Sequence, residues 1–145
     1  MTFVSVTRLR LRSLRFLPAF LWTNELVVRQ LTASPGFRKG RLLIDKHRTF
    51  WTLTLWSDQA SVRQFRDAAA HRVAMPKLLN WCDEASLAHW EQSEDALPDW
   101  TDAWARLLRE GRASKVRHPS AEHAQLAFPA PRAGFLQRPL LSRQP

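Results

Sequence analysis

The chain is poor in the residues from which sequence-readable chemistry is most often built. Its 145 residues hold one cysteine, Cys82, which excludes an internal disulfide and any multi-cysteine zinc site. Cys82 reads as a small buried residue. The four glycines are isolated from one another, so there is no Gly-rich phosphate loop. No serine stands in a G-x-S-x-G setting, which removes the usual basis for serine hydrolase chemistry. No apolar run approaches the roughly 20 residues that cross a bilayer, so no membrane span is expected. No apolar core followed by a small-residue cleavage site is present, so a secretory signal is not expected and a cytoplasmic setting is. Acidic residues are scarce towards the C-terminus, where residues 111–145 set Arg112, Lys115, Arg117, Arg132, Arg138 and Arg143 against Glu122 alone. Much of the net charge of +9 therefore sits in a proline-containing tail, and no nucleic-acid partner is expected for the domain itself. The five histidines have no spacing that makes a metal set.

What is present centres on residues 48–76. Thr49 to Trp56, TFWTLTLW, is rich in the aromatic, hydroxylated and branched residues that suit a packed strand. Trp51, Leu53 and Leu55 share one face, and Phe50, Thr52, Thr54 and Trp56 the other. The second face is aromatic at its ends and hydroxylated between them. It reads as covered without being filled by aliphatics, as a partner subunit enclosing a small cavity would leave it. Ser57-Asp58 ends the strand and caps a helix, along which Val62, Phe65 and Ala69 follow at helical spacing.

The remaining elements flank this stretch. Val4 and Val6 alternate with Phe3, Ser5, Thr7 and Leu9, predicting a strand over 2–11. The same arginine-rich, acid-free start also has the composition of an organellar transit segment. Arg8, Arg10 and Arg12 continue the Val4/Val6 face and read as its solvated end. Pro18 suits the first turn of a helix, whose stripe is Leu17, Phe20, Leu21, Asn24, Val28 and Leu31; Pro35-Gly36 ends it. A second strand is expected over 37–44 and a fourth over 84–91. Pro76 is expected to kink the second helix or restart it. Asp99 caps a last helix that Gly111 stops. The order β-α-β, β-α-β plus a terminal helix is the split-βαβ, ferredoxin-like arrangement of an α+β fold. Residues 1–110 are expected to form this domain, and 111–145 a disordered or loosely draped tail.

VSVTRLRLRS, FLPAFLW, SPGFRKGRLL and, above all, the blocks FWTLTLW, AHRVAMP and WCDEAS resemble an uncharacterised family of the dimeric α+β barrel superfamily, over roughly residues 3–92. The superfamily includes antibiotic-biosynthesis monooxygenases and small haem-degrading monooxygenases. The resemblance implies a homodimer packed sheet to sheet, with an apolar small-molecule ligand in a pocket between sheet and helices. It implies monooxygenase-like chemistry with no cofactor, or with haem. A non-catalytic homodimeric binding or structural module is the alternative, and docking to acidic partners through the basic tail a third.

His71 is the sharpest candidate for catalysis. It is expected near the C-terminal end of the second helix, where Asp67, four residues earlier on the same helix face, is placed to orient one ring nitrogen. Three roles are open: a helix-end anchor, a general acid/base or substrate contact, and, by resemblance, a haem ligand. Trp51, Trp56 and Phe50 are candidates to stack on a flat substrate, or equally core and interface. Asn24 interrupts an apolar stripe, and by resemblance Asn24 and Trp22 are candidate substrate contacts.

Overall fold

The computed structural model describes residues 1–46, 48–132 and 136–145. A ferredoxin-like core is built from β1 (Thr2–Leu11), α1 (Leu17–Ala33), β2 (Phe37–Asp45), β3 (Thr49–Trp56), α2 (Gln59–Arg66), α3 (Ala69–Trp81) and β4 (Cys82–Gln92), followed by α4 (Trp100–Glu110). Two more strands lie in the C-terminal region, β5 (Arg112–Ala113) and β6 (Leu136–Leu141). All pairings are antiparallel, and the sheet order is β5-β4-β1-β3-β2-β6. The fold class is α+β, as the element order predicts.

Local chemistry explains the element ends. Pro18 sits in the first turn of α1, where its missing N–H has no cost. Gly36 has φ +82°, a region that L-residues avoid, and its carbonyl accepts from the Ser57 N–H at 2.8 Å. Asp58 caps α2 by accepting from the Ser61 N–H at 2.8 Å, and Asp99 caps α4 by accepting from the Asp102 N–H at 2.8 Å.

The register of β1 on β3 and β4 sorts the sheet into two faces. Val4, Val6, Leu53, Leu55, Trp51, Ala88 and Trp90 form one core cluster, and Trp100, Ala103 and Leu107 of α4 pack onto it. Ser5, Thr7, Leu9, Thr52, Thr54, Trp56, Leu87 and His89 face the other way, towards α1, α2 and α3. The hydroxylated face is therefore covered by the chain's own helices. It is not left to a partner subunit, the cover its composition predicts, and the opposite face carries α4, whose Trp100, Ala103 and Leu107 pack onto it.

The arginines of β1 also differ from their sequence reading. Arg8 is only 5% exposed and pairs with Glu84 at 3.1 Å. Arg10 forks onto Asp83 with two 2.9 Å bonds and reaches Glu84 at 2.7 Å. These are cross-strand ion pairs, not a solvated end, because β4 sets two carboxylates opposite the arginines. Burial lowers the Arg8 pKa, with the Glu84 charge opposing it.

The C-terminal region differs from the expected tail. Leu140 of β6 is 1% exposed and joins Trp56, Val28 and Leu31 in a second cluster. It lies opposite Gly40 of β2, where a Cβ would meet the Leu53 carbonyl oxygen at 2.7 Å. Arg138 forks onto Glu25 of α1 at 2.7 and 3.3 Å. Arg143 donates to the Arg29 carbonyl at 2.7 Å. His123 donates through Nε2–H to the Ser114 carbonyl and accepts the Ala85 N–H at Nδ1. The prolines interrupt periodicity here, but they do not prevent an edge strand.

Candidate functional site

Between the hydroxylated sheet face and α1, α2 and α3 lies a cavity of about 180 Å³. Its walls are mostly apolar, with Phe20, Val28, Leu31, Trp56, Phe65 and Met75 among the lining residues. Polar groups enter at a few points: Ser5, Thr7, Thr52 and Thr54 on the sheet, Asn24 on α1, and His71 and His89 beside Arg66 and Arg112. No described lining residue is acidic.

His71 lines this cavity, but not through the geometry its spacing to Asp67 predicts. The helix that begins at Gln59 stops at Arg66, and His71 stands in the first turn of a separate helix, α3. Asp67 is spent on Arg66, at 2.9 Å. The partner of the imidazole is instead the Arg66 carbonyl, 3.0 Å from Nδ1. A carbonyl oxygen only accepts, so Nδ1 carries the proton and Nε2 of the neutral ring is the basic atom. Burial lowers the His71 pKa, and this outweighs the Arg66 carbonyl, which raises it. The ring is thus held neutral with one nitrogen fixed. Its backbone N–H donates to Gln30 Oε1 at 2.7 Å, while Gln30 Nε2 donates to the carbonyls of Phe65 and Ala68, each at 2.9 Å. Gln30 therefore ties α1 to the break between α2 and α3. It lies outside the apolar stripe of α1, and no sequence signal marks it.

The aromatic candidates separate. Trp56 is 1% exposed and lines the cavity. Its indole N–H donates to Thr54 Oγ1 at 2.9 Å, and its ring meets Phe65 and Phe37, each at 5.4 Å between centroids. Trp51 is on the other face, edge-on to Trp100 and Phe128 at 6.4 and 5.9 Å, so it is core beneath α4. Phe50 packs on Phe20 at 4.4 Å in a cluster with Leu11 and Cys82, at one end of the sheet outside the cavity lining. Trp22 is 65% exposed, since the apolar stripe of α1 turns it outward, and it does not reach the cavity. Asn24 does. Cys82 is buried and its thiol pKa is pushed up to about 12, by burial first and by Asp83 second, so it is an unreactive core residue.

A haem does not fit these residues. A pocket for a drug-sized ligand measures roughly 300–1,000 Å³, and the cavity around His71 is smaller than that. Among the described residues no group of three or more His, Cys, Asp or Glu could hold a metal ion. No described helix is long and apolar enough to cross a membrane.

No protein-family model matches the chain, and no curated protein matches it. Solved structures do. A putative antibiotic biosynthesis monooxygenase from Nitrosomonas europaea is similar with a TM-score of 0.58 at 11% identity, over 66% of this chain and 93% of that one. Rv0793 from Mycobacterium tuberculosis is similar with a TM-score of 0.60 at 9% identity, over 66% and 99%. The chain has the ferredoxin-like α+β fold that these structures share. NE2512, a protein of unknown function from Nitrosomonas europaea, shares that fold with a TM-score of 0.56 at 14% identity, over 68% and 95%. Identities this low establish the fold alone, and a fold does not fix a reaction. About a third of this chain lies outside each overlap.

Proposed function

We propose that this protein is a monooxygenase-like, small-molecule-handling protein that holds a largely apolar ligand between sheet and helices, with His71 as its base. The observation that carries this reading is the His71 ring on the wall of a mostly apolar cavity, with Nδ1–H committed to the Arg66 carbonyl and Nε2 left basic. A neutral imidazole on the wall of a cavity is suited to proton abstraction near pH 7. The volume limits the ligand. A cavity of about 150 Å³ accepts benzene, so about 180 Å³ suits one ring or two fused rings. Trp56 and Phe65 supply aromatic walls, and Asn24 a polar contact.

In a cofactor-free oxygenation the substrate supplies the electrons. Nε2 would take a proton from an activated carbon, and the carbanion would reduce O2. One oxygen atom would remain on that carbon as a carbonyl, and the other would leave as water. The test is oxygen uptake with 2-tetralone and a panel of one- and two-ring ketones that carry an activated CH2, against the buffer rate. The expected result is uptake above buffer for at least one compound, lost in His71→Gln. Buffer-rate uptake across the panel contradicts the catalytic reading. It would favour the second one, a non-catalytic binding module, for which the role of His71 in closing the α2 end already speaks.

The homodimer belongs to the same proposal, but not by sheet-to-sheet contact, because α1, α2 and α3 cover one face of the sheet and α4 the other. Trp22 and Leu26 stand one turn apart on the solvent side of α1, 65% and 37% exposed, and this strip is the surface we assign to a second copy.

A further inference from the structure

We propose that the ligand is an apolar acid, its ring body in the cavity and its carboxylate at Arg112 and Arg66. This rests on the ligand-binding reading above and adds the charge of what is bound. The cavity is chemically one-sided. Towards α1 its walls are Phe20, Val27, Val28 and Leu31, whereas its α2–β5 end gathers Arg66, His71, His89 and Arg112. The register sets Arg112 opposite Leu87, a residue of the cavity face, so its guanidinium belongs to the same wall. A surface hollow of about 290 Å³ adjoins this end; it shares Arg66, His89 and Arg112 with the cavity and adds Arg63.

The anions already present do not neutralise this end. Glu110 lines the outer hollow but is paired with Arg106 at 3.0 Å. Asp67 answers Arg66 from an exposed position. Among the described residues, neither Arg63 nor Arg112 is in an ion pair. His89 registers the excess: its pKa is lowered by burial first, then by the charges of Arg112 and Arg66. Both arginines therefore act on one imidazole that itself stays uncharged. Arg63 and Arg66 lie in the last turn of α2, where the helix dipole tolerates them, but that gives no reason for Arg112 to face the same way. A bound carboxylate does, since at the rim of an apolar hole Arg112 offers it a charge-assisted, forked hydrogen bond, and Arg66, whose Nε and Nη2 meet Asp67, adds its remaining Nη1.

The test compares two probes with the same ring system, 2-naphthoate and 2-naphthylmethanol, by calorimetric titration of the full chain. The expected result is that the carboxylate binds at least about tenfold tighter. Arg66→Gln/Arg112→Gln should remove that preference, bringing the carboxylate down to the affinity of the alcohol. About 1 M salt, which shortens the screening length to about 3 Å, should narrow the gap in the unsubstituted protein, so the result does not depend on the variant folding. Equal binding of both probes overturns the acid assignment and leaves the cavity reading intact. A preference retained in the double variant and indifferent to salt also overturns it. Binding of neither probe overturns both.

Discussion

At the scale of single residues, the site turns on how one imidazole is held. His71 is a helix-end anchor and a cavity-wall group at once, because Nδ1 serves the first role and Nε2 is left for the second. The same geometry makes it a pH-sensitive position. Burial lowers the folded-state pKa of His71 and of His89 below the roughly 6.5 of a free histidine. As pH falls through about 6.5 the unfolded chain takes up protons that the folded chain refuses, so stability is lost as the pH drops towards the depressed values. Urea unfolding between pH 7.5 and pH 5 should show this loss, and His71→Gln should flatten it. Identical pH slopes for the two proteins would contradict a half-buried, neutral His71. The pairing of His71 with the Arg66 carbonyl was not legible in the sequence. Asp67 at i−4 is a good helix partner only if the helix continues, and Ala69, with φ +46°, marks where it does not.

At the scale of elements, the strands were the most legible part. β3 has the bounds its Thr, Trp and Phe content predicts, because the alternation of Thr with Leu on a strand covered on both faces is an imprint of two environments. The helix starts followed from Pro18, Asp58 and Asp99, each of which meets a specific demand of a first turn. The wrong expectations concerned which layer covers which face. Alternation shows that Thr52 and Thr54 face something partly polar, but not that α1 and α3 supply it. It shows equally that Trp51 is buried, but not that α4 lies above it. The C-terminal strand was hidden by its prolines, although LQRPLL needs only one buried residue, Leu140, to pin it to Gly40 and Trp56. Leu140→Ala should therefore cost about 2–5 kcal/mol of stability, while Leu141→Ala, at a position 70% exposed, should stay within about 0.5 kcal/mol. Chemical denaturation of the two variants checks this, and a silent Leu140→Ala would detach β6 from the fold.

At the scale of the whole molecule, one sheet serves two purposes. Its α4 face is a conventional core, closed at one margin by the Arg8–Glu84 and Arg10–Asp83 pairs. Its other face is left incompletely filled, and that unfilled volume is what the functional proposal uses. Self-association through α1 is expected at micromolar concentration by light scattering. Trp22→Lys/Leu26→Lys should give a monomer of 16.8 kDa, and an unsubstituted chain that is already monomeric would contradict that interface. The central claim, a ligand-accepting cavity beneath Trp56, is tested most directly by the indole N–H resonances of the seven tryptophans. Each is assigned by Trp→Phe substitution and followed in a 15N–1H spectrum as 2-naphthylmethanol is added. The Trp56 indole should shift saturably while those of Trp22 and Trp51 stay in place. Shifts confined to Trp22 or Trp51, or a spectrum that does not change, would contradict the account.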